Sequence, residues 1–195
     1  MYELKSSKAR FGRKIVNGAY STLIERLASS TAPNLLLLRY AADLSRVIDL
    51  TAIPSRFLAP GTVEQRPALR PGTRRAGWVG SIIRLDMIPS LGRIDMVRSE
   101  QAMDRRRVVS QWKNTEFLEE SDLAARGWLV CVLDCVERIR SQEFTLDDAY
   151  EFEERLRQLF PQNRNVRPKI RQQLQVLRDN GRIEFLGKGR YRKLK

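Results

Sequence analysis

The sequence predicts an α+β fold in two parts, an α/β layer over residues 1–122 followed by helices and a terminal hairpin over residues 123–195. Short apolar stretches separated by turn residues dominate the first part, as strands require, while helical periodicity dominates the second until the glycines at 187 and 189. A length of 195 residues fits this division and suffices to bury a core without disulfides.

In the first part, a strand is expected at Tyr2–Ser7, a helix at about Gly18–Ser29, and strands at Asn34–Tyr40 and near Val47–Ala52. Strand, helix and strand in succession form an α/β layer. Between Gln65 and Gly80 lies a loop-like stretch holding Arg66, Arg70, Arg74, Arg75 and Trp78, a mixture suited to phosphate contacts plus an aromatic wedge. A packed tryptophan among solvated arginines is the plainer alternative.

The second part opens with a helix capped by Ser121, with Asp122 in its first turn, running to Arg140 with Leu123, Trp128, Cys131, Val132, Cys135 and Val136 on one broad apolar face. Thr145-Leu146-Asp147-Asp148 is a capping-box start for a second helix that Pro161 stops after Phe160. A third helix spans Val166 to Asn180, with Val166, Ile170, Leu174 and Leu177 as its buried stripe and Asn180-Gly181 as its stop. Its other face carries Arg171, Gln172 and Gln175, flanked by Arg167, Lys169 and Arg178. Arg182–Leu186, the turn Gly187-Lys188-Gly189 and Arg190–Leu194 then alternate as a basic hairpin that includes Tyr191 and Arg192. Three helices and a hairpin in this order predict a winged helix-turn-helix, whose third helix lies in the major groove where Arg reads guanine and Gln reads adenine.

Charge agrees with that reading. There are 36 Lys and Arg against 23 Asp and Glu, net +13, and from Pro161 onward eleven basic residues face only Asp179 and Glu184. Such density on periodic, folded sequence points to a polyanion. A membrane surface is a weaker partner, because no helix pairs the basic face with exposed aromatic residues. Histidine is absent, which excludes Ser/His/Asp triads, Cys/His nucleophiles and imidazole zinc sites. Cys131 and Cys135 share one helix face and are expected to be reduced core residues. With no membrane span and no apolar leader after Met1, a cytoplasmic protein is expected.

Within the first strand, Glu3-Leu4-Lys5 places two ionisable side chains on one face. A carboxylate ligating Mg²⁺ beside a lysine that orients water or stabilises charge is the second half of the nuclease pattern Asp-x(n)-Glu-x-Lys. Alone, this spacing more often marks an exposed ion pair. No aspartate precedes Glu3, and the possible substitutes are Glu25, Asp43 and Asp49.

Several collinear segments resemble the methyl-directed type II restriction endonucleases of the DpnI type, the Dam-replacing proteins. They are Tyr2-Glu3-Leu4-Lys5-Ser6, Asn17-Gly18-Ala19-Tyr20, Arg74-Arg75-Ala76-Gly77-Trp78, Pro89-Ser90-Leu91-Gly92-Arg93-Ile94, Arg126-Gly127-Trp128, Glu143-Phe144-Thr145-Leu146, Lys169-Ile170-Arg171-Gln172-Gln173-Leu174-Gln175, Glu184-Phe185 and Gly189-Arg190-Tyr191-Arg192-Lys193-Leu194. The resemblance implies a PD-(D/E)xK restriction-endonuclease-like domain over 1–122, incomplete at its N-terminus, and a winged helix over 123–195. It implies double-stranded DNA carrying N6-methyladenine in GATC as the partner, a monomer, and Mg²⁺-dependent cleavage. Glu3 and Lys5 fall on the family's Glu-x-Lys, with Glu3 as metal ligand, and Trp78 falls on its DNA-inserting tryptophan. Arg74, Arg75, Arg167, Lys169, Arg171, Gln172, Gln175, Lys188, Arg190, Tyr191 and Arg192 are the expected DNA contacts. The family's cysteine-pair zinc module and its first catalytic aspartate have no counterpart ahead of Glu3, so impaired cleavage is expected. A non-catalytic winged-helix regulator or methyladenine reader is the alternative, and an RNA-binding protein a third, disfavoured by the helix-plus-wing order.

Overall fold

The structure, a computed structural model, describes every residue except Ser7, Ser30 and Lys195. Ser7, the expected end of the first strand, thus lies outside the described residues.

The first part contains β1 (Tyr2–Ser6), β2 (Lys14–Ala19), α1 (Tyr20–Ala28), β3 (Leu35–Ala41), β4 (Arg46–Ile53), β5 (Val63–Gln65), β6 (Gly80–Arg84), β7 (Ile94–Arg98), β8 (Gln101–Ala102) and α2 (Arg105–Lys113). One sheet runs β1-β3-β4-β7-β8, with β1 parallel to β3 and the other neighbours antiparallel. A second, antiparallel sheet runs β2-β6-β5. Leu35 and Leu37 of β3 and Leu23 and Leu27 of α1 belong to the same buried cluster, which holds the layer together. The parallel β1/β3 pair needs a crossover, and β2 and α1 lie within it, so the strand-helix-strand order of the sequence has a direct topological use.

The second part contains α3 (Leu123–Arg138), β9 (Glu143–Thr145), α4 (Leu146–Tyr150), α5 (Glu153–Leu159), α6 (Val166–Asp179), β10 (Ile183–Gly187) and β11 (Arg190–Lys193). The hairpin β10/β11 takes β9 as a third strand, in the order β10-β11-β9. This is the winged helix-turn-helix arrangement, following a mixed layer: an α+β fold.

Two local details differ from the sequence reading. Asp122, not Ser121, caps α3, because its carboxylate reaches the Ala125 N–H at 2.8 Å. The helix expected from Thr145 to Phe160 is divided into α4 and α5, with the Phe152 N–H bonded back to Ala149 at the division. Its start is as read: the Asp148 N–H donates to Thr145 Oγ1 at 3.1 Å and the Thr145 N–H to the Asp148 carboxylate at 2.6 Å. The Thr145 N–H first, then the Thr145 hydroxyl donating to the same carboxylate at 2.8 Å, hold the Asp148 carboxyl below its ordinary range.

The helix α3 joins the two parts. Residues 127–136 are all buried, and the core cluster runs without a gap from Leu35 and Phe57 of the first part through α3 to Ile170 and Leu174 of α6. A helix apolar on every side is one packed on every side. Gly127 sits so close under the preceding part that a Cβ would stand 2.5 Å from the Pro60 carbonyl oxygen. About two turns further along α3, buried Asp134 accepts from Arg138 at 2.8 Å and Arg155 at 2.7 Å, while Arg138 also donates to the Asp86 carbonyl at 2.6 Å.

Candidate nucleic-acid interface

In α6 the buried stripe is Val166, Ile170, Gln173, Leu174 and Leu177, which turns Arg167, Arg171, Gln172, Gln175 and Arg178 outward. The Gly181 N–H bonds to Arg178 O at 2.9 Å and the Arg182 N–H to Leu177 O at 2.8 Å, a Schellman ending that terminates the helix where Asn180-Gly181 predicts.

The outward side chains are not equivalent. Arg167 pairs with Glu153 at 2.6 Å and lies over the Tyr150 ring, and Arg171 donates to the Tyr150 hydroxyl. Both therefore lean toward α4 and α5, and Arg167 holds the Glu153 carboxyl below its ordinary range. Lys169 donates to the Gln172 side-chain oxygen at 2.8 Å, leaving the Gln172 amide NH₂ open, and Gln175 has no partner among the described residues. At the start of the helix, Gln162, Asn163, Arg164 and Asn165 join Pro168, Lys169 and Gln172 around a cleft. These loop residues have no periodicity to mark them in the sequence; the amide-rich run directly ahead of a basic helix is the signal that does.

In the wing, Gly187, Lys188 and Gly189 form a tip of three consecutive residues with positive φ, and Lys188 makes no ion pair among the described residues. Arg190 and Arg192 instead reach across the sheet to Glu143, at 2.9 and 2.8 Å, and Arg192 also to Glu184 at 3.2 Å. Arg192 first, then Arg190, hold the Glu143 carboxyl below its ordinary range. Tyr191 is half-buried between Phe144 and Phe185, and burial pushes its phenol pKa up. It supports the wing sheet from inside.

The stretch from 66 to 79 extends the β5/β6 hairpin outward, tied by Arg66 N–H to Gly80 O at 2.9 Å and Leu69 N–H to Trp78 O at 3.0 Å. Arg70, Arg74 and Arg75 are exposed at its end, and no acidic residue occurs between Glu64 and Asp86. The Trp78 ring folds back over Gly80, where a Cβ would meet it at 2.9 Å. The glycine is what leaves room for the half-buried ring at the hairpin base.

On β1, Glu3 and Lys5 share a face and pair with each other at 3.2 Å. Their neighbours across the sheet are Leu37 and Arg39 of β3, then Thr51 and Asp49 of β4. Asp49 accepts from Arg39 and from the Ser99 N–H; Asp95 of β7 accepts from Thr51 and Arg98. Of the substitutes read from sequence, Glu25 is exposed on α1, Asp49 is occupied by Arg39, and Asp43 lines a groove with Lys5 and Lys8.

Comparison with known protein families matches the Dam-replacing family over residues 1–121 and the Dam-replacing HTH domain over residues 124–193. The chain belongs to the Dam-replacing family. Membership places it among methyl-directed, DNA-binding nucleases, and no helix of the described residues is long and apolar enough to cross a membrane.

For a Dam-replacing protein the implied metal is Mg²⁺, which takes carboxylate oxygens in near-octahedral geometry. The donors here do not fit it: among the described residues no three Asp, Glu, Cys or His side chains cluster, and the Glu3 carboxylate faces the Lys5 ammonium. Cys131 and Cys135 are free buried thiols; burial pushes both up, Cys135 to about 12, so both are neutral thiols at neutral pH.

Proposed function

We propose that this chain binds duplex DNA at adenine-methylated GATC and that its own cleavage of that site is weak or absent. The observation that carries the binding half is the outward face of α6 beside the wing, in a chain matched by both parts of the family. In this reading Gln172 and Gln175 face base edges, while Lys188 and the 66–79 arginines meet phosphates. An N6-methyl group removes one proton donor and adds apolar surface, so a contact that senses it is worth roughly 1–3 kcal/mol per base.

The nuclease half rests on Glu3 and Lys5 as the Glu-x-Lys pair of a PD-(D/E)xK sheet. Lys5 is 40% exposed and within reach of a phosphate, but Glu3 alone holds Mg²⁺ poorly. The neighbouring carboxylates already neutralised by Arg39 and Arg98 favour a second reading, a methyladenine reader without catalysis.

Binding to fluorescent duplexes with fully methylated, hemimethylated or unmethylated GATC, at fixed salt with Ca²⁺ in place of Mg²⁺, tests the first half. Tightest binding to the fully methylated duplex is expected, and equal binding to all three sinks the specificity. Robust Mg²⁺-dependent cutting that Glu3→Ala abolishes would overturn the second half.

A further inference from the structure

Helix α2 is the least integrated helix of the fold and carries its densest unpaired charge. None of its residues is buried; Val108, Gln111 and Trp112 are half-buried and form its attachment, with the Arg56 guanidinium over the Trp112 ring at 5.4 Å. Its first turn is Arg105-Arg106-Arg107, and none of the three guanidinium groups has an ion-pair or hydrogen-bond partner among the described residues.

That placement costs stability. Three adjacent cations repel, and at a helix N-terminus they also oppose the macrodipole. The acidic groups nearby are taken: Asp104 caps the Arg107 N–H at 2.9 Å, Asp95 holds Arg98, and Glu100 holds Arg46. The Asp104 carboxylate, as N-cap, offsets part of the cost, but no carboxylate among the described residues pairs with the three guanidinium groups, which leaves them open to a partner.

We infer that Arg105, Arg106 and Arg107 form a second phosphate-binding surface, which grips the backbone of the same duplex that the winged helix engages; this rests on the DNA-binding reading above. Successive helical residues point about 100° apart, so the three fan around the helix instead of forming one stripe. A fan of guanidinium groups suits spaced phosphates. An acidic protein partner fits less well, since protein interfaces centre on buried apolar anchors and, among the described residues, Val109 is the only exposed large hydrophobic of α2. The helix is also held against the DNA-reading part. Arg182, in the turn after α6, donates to the Asn114 carbonyl at 2.5 Å and lies over Phe117 at 5.0 Å, which fixes the end of α2 to the end of the recognition helix.

The test compares the full chain with the triple variant Arg105→Gln/Arg106→Gln/Arg107→Gln and the triple lysine variant, by duplex binding across salt concentrations together with thermal melting. Removing three phosphate contacts lowers the log–log salt slope by roughly 2–3 and affinity at low salt by about 10–100-fold. The glutamine variant melts no lower than the parent, because it loses repulsion, and the lysine variant keeps the slope. An unchanged slope overturns the inference, as does a loss of binding that the lysines fail to restore. If the parent binds no duplex at any salt, the DNA-binding reading itself falls and takes the inference with it.

Discussion

The wing and the 66–79 hairpin carry similar densities of basic side chains and hold them in opposite ways. In the wing, Glu143 clamps Arg190 and Arg192 against the sheet, with Glu184 as a second acceptor, and only Lys188 stands free at the tip. In the hairpin, Arg66, Arg70, Arg74 and Arg75 have no acidic partner among the described residues. Charge already neutralised inside the protein releases few counterions when DNA arrives, so the hairpin, not the wing, should dominate the electrostatic part of binding.

The sharpest break of that comparison is to neutralise each region in turn. Arg70→Ala/Arg74→Ala/Arg75→Ala is expected to weaken all duplexes about a hundredfold near 0.1 M salt and to cut the salt slope by nearly three. Lys188→Ala should cut it by about one. Arg190→Ala/Arg192→Ala should cut it by less than one despite removing two charges. Fluorescence anisotropy over a salt series reads all three, and a wing double variant that loses as much as the hairpin triple reverses the ranking.

Gly80→Ala comes next. The new methyl collides with the Trp78 ring at 2.9 Å. Relieving an overpacked contact of this kind costs roughly 1–3 kcal/mol, in stability or in the ring's position. A drop in melting temperature, or a tenfold loss of duplex affinity without one, is the expected result. A variant that matches the parent in both shows that the ring does not depend on the glycine.

How much of this was legible follows from the range of the interactions. The Thr145 capping box, the Asn180-Gly181 stop and the Gly187-Lys188-Gly189 turn are set by residues within a few positions, and each stands where the sequence puts it. The strands β2, β5, β6 and β7 went unread, since their pairing is between residues up to tens of positions apart and their sequences mix apolar with charged residues. Lys14-Ile15-Val16 and Ile94-Asp95-Met96 alternate too briefly to separate from loop. At the site, exposure of the α6 face followed from the buried stripe. Which arginines are free did not, because Glu143 and Arg192 are 49 residues apart. The residues of α2 were overlooked for the same reason: whether three arginines in a row are paired depends on acids that the sequence does not place beside them.

Releasing the wing clamp sharpens the comparison from the other side. In Glu143→Gln the carboxylate is gone, Arg190 is freed and Arg192 keeps only Glu184, so duplex binding should strengthen by about threefold and the salt slope should rise by about one. Because the gain is in phosphate contacts, it should be equal for methylated and unmethylated sites. Gln172→Ala and Gln175→Ala should do the reverse, leaving the slope alone and shrinking the preference for methylated GATC. A methylation-dependent gain in Glu143→Gln would mean that the wing takes part in reading the base.

The smallest effect expected is that of pH near neutrality. With no histidine in the chain, no side chain has an ordinary pKa between about 5 and 8. The carboxyls of Glu143, Asp148 and Asp86 are held low, by Arg192, Thr145 and Arg84 first. Each binds fewer protons folded than unfolded around pH 4, so its stabilisation is present above the unfolded value near 4 and is lost as pH falls through the lower folded one. The thiols of Cys131 and Cys135 behave oppositely, since burial raises both, Cys135 to about 12. Their stabilisation is complete below the unfolded thiol value of about 8.5 and is lost from there toward 12, as the unfolded chain ionises first. Chemical denaturation should therefore give a plateau from about pH 5 to 8 with a decline on each side, and Cys135→Ala should flatten the alkaline decline while lowering the plateau. Across that plateau the Glu143 clamp stays ionised, so duplex affinity should vary by less than about twofold at constant salt; a larger change would mean that the wing's free charge is not fixed by Glu143.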